Sequence, residues 1–256
     1  MVVEACPGAR AARGPRRPPH SQGTATVQQE NDEQDWGQPT EVLPAPWLEL
    51  GELLHLSPGH LIGIGAARDS REAEAGYDLA LHAAAHGVRT LLFAPDLPAR
   101  NPVPNLTVQR RLPLGPETVE KDVSSYAHMP DPVGLVVIDH FQLMSPVTVE
   151  PEYRDDPVDD PEDIQPADQA ADTGRRLKML ATNTDYHRPT IVVMAHLTPP
   201  AGSTDPLALD HLGLAAELIY DTDTLLLLNR TTGDTIDVHI AKDRFGPAPT
   251  RTTITW

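Results

Sequence analysis

Leu135-Val136-Val137-Ile138-Asp139 constrains this chain more than any other stretch: four consecutive apolar residues end in an acid. A run of this kind reads as a strand buried on both faces, as inside a parallel sheet. A carboxylate at the C-terminal end of such a strand lies on the edge where open α/β sheets bind ligands. Two readings of Asp139 are open. It caps the following turn, or it holds Mg²⁺, directly or through water, beside the phosphates of a nucleotide.

At 256 residues the chain has room for one large α/β domain plus tails. Its 37 acidic and 20 basic residues give a formal charge of −17. That balance opposes non-specific nucleic-acid binding, which rests on basic patches that neutralise phosphates. Cys6 is the one cysteine, so an intrachain disulfide is excluded and a reducing compartment is expected. No apolar run approaches the roughly 20 residues that cross a bilayer, and the arginine-containing N-terminus has no apolar signal segment. A soluble cytoplasmic protein, without membrane contact, is the expectation.

Residues 1–45 are rich in Pro, Gly, Arg, Gln and Glu and read as a disordered tail. Within it Arg10, Arg13, Arg16 and Arg17 form a basic cluster, either a solvated tail or a contact for an acidic partner. Ordered structure is expected over 46–256. Pro58-Gly59 marks a turn, and Leu61–Ala67 reads as a buried strand. Tyr77–His86 reads as a helix stopped by Gly87. His82 and His86 have the i, i+4 spacing of two ligands on one helix face, but no third ligand is evident, and two surface or packed histidines are the simpler reading. Arg89–Ala94 is a further strand followed by Asp96. One helix is expected around Pro116–Tyr126. Residues 145–172 carry ten acids against Arg154 and read as an acidic, flexible loop without the spacing of a Ca²⁺ loop. Thr173–Thr182 reads as a helix, Pro189–Leu197 as a strand, and Thr235–Asp243 with Thr250–Trp256 as a closing hairpin.

Four landmarks recur in one order: the Pro58-Gly59 turn with its strand, Asp139 with Gln142-Leu143-Met144, Asp221-Thr222-Asp223 before a strand, and Lys242-Asp243-Arg244-Phe245-Gly246-Pro247. In this order, over residues 50–256, the chain resembles the C-terminal ATPase domain of the bacterial replicative DNA helicases of the DnaB type. The resemblance implies a RecA-like P-loop NTPase fold: α/β, with a mostly parallel sheet between helices and an antiparallel C-terminal hairpin. It implies ATP and Mg²⁺ as cofactors, DNA as a partner, ATP-driven unwinding in replication, and assembly into a homo-oligomer.

The resemblance also assigns residues. Asp139 is the Mg²⁺-binding acid. Asp96 stands where the family has the glutamate that activates water. His196 stands where a glutamine senses the γ-phosphate, and histidine keeps the capacity to hydrogen-bond phosphate. Lys242 and Arg244 keep the cations that reach a neighbouring subunit's nucleotide. Arg68, Ser70 and Arg71 fall in the phosphate-loop segment, 65–76.

That segment departs from the pattern GxxxxGK[ST], in which backbone N–H groups cradle phosphate, the lysine neutralises it and the hydroxyl holds Mg²⁺. Glu72 replaces the glycine, Ala73 the lysine and Glu74 the hydroxyl residue, and no Gly-Lys-Ser or Gly-Lys-Thr occurs anywhere in the chain. Two like charges about 4 Å apart repel by roughly 4 kcal/mol at an effective dielectric near 20. Three functions follow: a divergent helicase domain with weak or lost ATP hydrolysis; a non-catalytic protein-interaction or regulatory module; or an active ATPase in which Arg68 or Arg71 replaces the lysine.

Overall fold

The computed structural model describes residues 42–51, 56–67, 70, 74–98, 101–144, 166–199, 206–230, 234–246, 248 and 250–255. All belong to one compact unit, Pro39–Trp256. Most of the 1–45 tail, the 145–165 part of the acidic segment, and Arg68 and Arg71 lie outside the described residues. Residues 42–45, expected in the tail, belong to the packed unit. The Leu43 N–H donates to Leu56 O at 2.9 Å, and Leu43 and Ala45 pack on the core.

Eight strands form one sheet: β1 Leu61–Ala67, β2 Thr90–Phe93, β3 Leu106–Gln109, β4 Leu135–Ile138, β5 Thr190–Leu197, β6 Thr224–Arg230, β7 Thr235–Asp243 and β8 Thr250–Thr255. Their spatial order is β3-β2-β4-β5-β1-β6-β7-β8. The first six run parallel, and β7 and β8 add antiparallel pairs, which is the mixed sheet expected. The helices are α1 Leu48–Gly51, α2 Ala75–Ala85, α3 Pro116–Ser124, α4 Pro166–Thr182 and α5 Leu218–Asp221. No helix among the described residues is long and apolar enough to cross a membrane.

The continuous apolar runs have the physical consequence the sequence implies. Successive side chains of a strand point to opposite faces, so a run with no polar break buries both. Val136 and Ile138 enter one core with Leu91, Phe93, Ile191 and Val193, covered by Val119 of α3, Leu177 of α4 and Leu218 of α5. Leu135 and Val137 enter a second core on the other face with Ile62, Ile64, Val192 and Met194, covered by Trp47 near α1 and by Leu79 and Ala83 of α2. β7 reads differently because its burial alternates along its length, as suits an antiparallel strand near a sheet edge.

Local signals set the element ends. Pro116 occupies the first turn of α3, after the extended Gly115, where its missing N–H costs nothing. Gly87, φ +90°, follows α2 in the left-handed region that glycine adopts without penalty. Gly76 lets α2 lie close on the sheet: a Cβ there would sit 2.7 Å from Met194 Cγ and 3.1 Å from Val137 Cγ1.

Three elements differ from the sequence reading. β3 has no counterpart in it; the strand lies within the Pro-rich connection after β2, whose breakers mask a four-residue element. α4 begins at Pro166, so the last seven residues of the 145–172 acidic segment form its first two turns. There Ala170 packs on the core while Asp168 and Asp172 stay outside it. The helix expected before β6 is mostly a tighter 3₁₀ segment, Leu209–Glu217, with Gly213 out of helical conformation.

Candidate functional site

The order β2-β4-β5 places three strand ends side by side, and each leads to a predicted site residue. Asp96 follows β2, Asp139 follows β4 and His196 lies in β5. Parallel pairing brings their C-terminal ends to one edge of the sheet. The sequence reading names these three residues but not His140, which joins them.

The Asp139 carboxylate is the centre of this edge. His196 Nε2 lies 3.7 Å from Asp139 Oδ1, and His140 Nδ1 lies 3.9 Å from the same oxygen. The two imidazoles stack, with centroids 3.7 Å apart and planes at 29°. Among the described residues Asp139 Oδ1 is buried and accepts no hydrogen bond. Burial, and then the negative charge of Asp96, push the Asp139 carboxyl up to about 6. Both act in one direction, because each disfavours the ionised form.

Gln142 holds the two halves of the site together. Its Nε2 donates to His196 O at 2.8 Å, and its Oε1 accepts from the His196 N–H at 3.2 Å. Gln142 sits in the 3₁₀ turn Phe141–Leu143, which His140 precedes. The turn carrying one histidine is thus tied by its own amide to the strand carrying the other. The Gln142-Leu143-Met144 landmark signals this turn, but not its partner.

Ser70 lies just past β1. Its hydroxyl donates to Ala67 O at 2.7 Å, and its N–H reaches the same carbonyl at 3.2 Å, so the side chain closes a turn.

Lys242 and Arg244 lie elsewhere. Arg244 N donates to Asp223 O, and Asp223 N donates to Leu61 O at the first residue of β1. This is the N-terminal edge of the parallel strands, opposite the edge of Asp139. Asp223 is fully buried there between two cations: Lys178 Nζ donates to its Oδ2 at 2.6 Å, and Arg244 Nη1 pairs with its Oδ1 at 3.0 Å. The Leu61 N–H also donates to Oδ2, at 2.9 Å. Lys242 Nζ donates to Ile219 O and to Tyr220 O, the latter at 3.2 Å, at the C-terminal end of α5. Burial, and then the charge of Arg244, pull Lys242 below the ordinary lysine range, while Asp223 and Asp221 oppose them. Phe245 stacks on His60 with centroids 4.4 Å apart, so the last sequence landmark docks on the first.

The donor set at Asp139 does not match Mg²⁺. That ion takes oxygen ligands in near-octahedral geometry, whereas here two imidazole nitrogens flank a single carboxylate that burial tends to protonate. His82 and His86 are near each other on α2, ring centroids 4.2 Å apart, and no third ligand joins them among the described residues.

No protein-family sequence model matches this chain, and no curated protein matches it. The structural comparisons give a different result. The chain superposes on a solved ATPase domain of a DnaB-like replicative helicase with a TM-score of 0.69 at 14% identity, over 87% of this chain and 90% of that one. It superposes on a second DnaB-like replicative helicase, solved to show its interactions with primase, with a TM-score of 0.66 at 14% identity, over 87% of this chain and 63% of that one. The polypeptide therefore has the RecA-like fold of the replicative-helicase ATPase domains.

Proposed function

We propose that this chain is a divergent domain of the DnaB-like helicase type in which ATP hydrolysis is weak or lost. The observation that carries this reading is the His140–His196 pair stacked against Asp139. Phosphoryl transfer depends on positioning and on neutralising charge with metal and lysine. Here the position of the metal-binding acid is crowded by imidazoles, the acid tends to hold its proton, and the chain offers no Gly-Lys-Ser/Thr. Its fold neighbours are described as an ATPase domain and a replicative helicase, so ATP, Mg²⁺ and DNA are the ligands to test. The −17 charge disfavours DNA.

A second reading, a non-catalytic interaction module, is favoured by the position of Arg244. It lies at the edge opposite Asp139, so within one chain it cannot approach a ligand there. A homo-oligomer through Arg244, or another protein partner, would use this edge, where Tyr220 and Phe245 are also exposed.

Calorimetric titration with Mg-ATP is the test. The expected outcome is no binding at micromolar nucleotide and no phosphate release. Tight binding that is lost in Arg68→Ala or Arg71→Ala would instead establish an ATPase with a substituted cation. Size exclusion with light scattering, on wild type and Arg244→Ala, reads the oligomer.

A further inference from the structure

The geometry points to a transition-metal site: Asp139, His140 and His196 hold one divalent ion of the Zn²⁺ class, with its remaining coordination positions open to solvent. The proposal needs no nucleotide and stands whether or not the reading of ATP hydrolysis is correct.

Three observations carry it. One ligand atom from each of the three residues lies within 4.8 Å of the other two, and the two edges that meet at Asp139 Oδ1 measure 3.7 and 3.9 Å. A triangle with edges of about 3.7 Å has its centre about 2.1 Å from each corner, which is the Zn–N and Zn–O bond length. An ion can therefore enter with small side-chain adjustments.

The donor chemistry selects the ion. Two imidazoles and one carboxylate suit Zn²⁺, Co²⁺, Ni²⁺ or Fe²⁺, whereas Mg²⁺ and Ca²⁺ favour all-oxygen sets. Three protein ligands with an open position is also the composition of Zn²⁺ sites that keep a water. The side chains are 27% (Asp139), 16% (His140) and 18% (His196) exposed, so an ion has a path from solvent.

The support is already built. The Gln142 amide clasps the backbone of His196 on both its N–H and its C=O, and Gln142 belongs to the turn that begins after His140. Ligands from two separate elements are thereby held in register before any ion arrives, as an outer shell does in metal sites.

The test uses the full chain, stripped with a chelator and titrated with Zn²⁺ alone by calorimetry; Co²⁺ and its visible absorption give a second readout. One equivalent is expected to bind, with millimolar Mg²⁺ failing to compete. His196→Gln and His140→Asn each weaken Zn²⁺ binding by about 100-fold or more, at or beyond the upper end of what an outer-shell partner contributes. Gln142→Ala weakens it by about 10-fold. His82→Ala, which disrupts the other close histidine pair, leaves it unchanged. Unchanged affinity in His196→Gln, loss of binding in His82→Ala, or no binding by folded wild type each overturns the proposal. Circular dichroism verifies folding of each variant. If His196→Gln is unfolded, loss of the Co²⁺ bands in His140→Asn decides the matter.

Discussion

Asp139→Asn isolates the cost of the buried carboxyl, and the structure sets its size. The group titrates at about 6 in the fold against 3.8 ordinarily. Below pH 3.8 it is protonated in both states and adds nothing. Between pH 3.8 and about 6 the folded chain keeps a proton that the unfolded chain has released, so stability falls as pH rises. Above about 6 the loss is complete. At about 1.4 kcal/mol per pH unit, the full loss is about 3 kcal/mol. The side chain is 27% exposed, so most of this is retained against solvent screening. Asparagine has the same shape and does not titrate. Urea unfolding of metal-free protein at intervals from about pH 4 to about pH 8 therefore compares the two chains directly. Groups common to both cancel in the difference. The variant should match wild type near pH 4 and exceed it by up to about 3 kcal/mol at about pH 7 and above. A variant less stable than wild type at neutral pH would refute the reasoning, because it would mean that protonated imidazoles hold Asp139 ionised and that this attraction outweighs burial.

Asp223→Ala should cost about 3–5 kcal/mol in chemical unfolding, because it strands Lys178 and removes the acceptor of the Leu61 N–H. Arg244→Ala should cost no more than about 1 kcal/mol in the same assay, since its side chain is 48% exposed. Gly76→Ala should lower stability by about 1–3 kcal/mol in thermal melts, because the new methyl meets Met194 and Val137.

The two edges of the sheet divide the polar residues in a way that burial explains. At the N-terminal edge Asp223 is fully enclosed but paired with two cations and a backbone N–H, as a buried charge must be. At the C-terminal edge Asp139 has only histidines near its buried oxygen and responds by holding its proton. A structural aspartate and a site aspartate are distinguished by their partners, since both stand beside apolar strands in the sequence.

The amino-acid sequence determined the strands and their order along the chain. Runs such as Leu135–Ile138 and Thr190–Leu197 have almost no polar side chain to expose, and Gly87 and the Pro58-Gly59 turn mark where elements stop. It also determined that the phosphate-loop lysine is missing, which is a matter of residue identity and needs no coordinates. β3 is not legible there because four residues among prolines carry too little periodicity, and the start of α4 is hidden because its first turns are acidic. Only the tertiary structure decided that β2, β4 and β5 are neighbours, and with that the meeting of Asp96, Asp139, His140 and His196. Strand adjacency is fixed by pairing across long sequence separations, where the backbone bonds any partner alike and the choice falls to packing of the whole sheet. Local pattern therefore could name Asp139 and His196 separately, but could not place a second imidazole beside them, nor send Lys242 and Arg244 to the opposite edge.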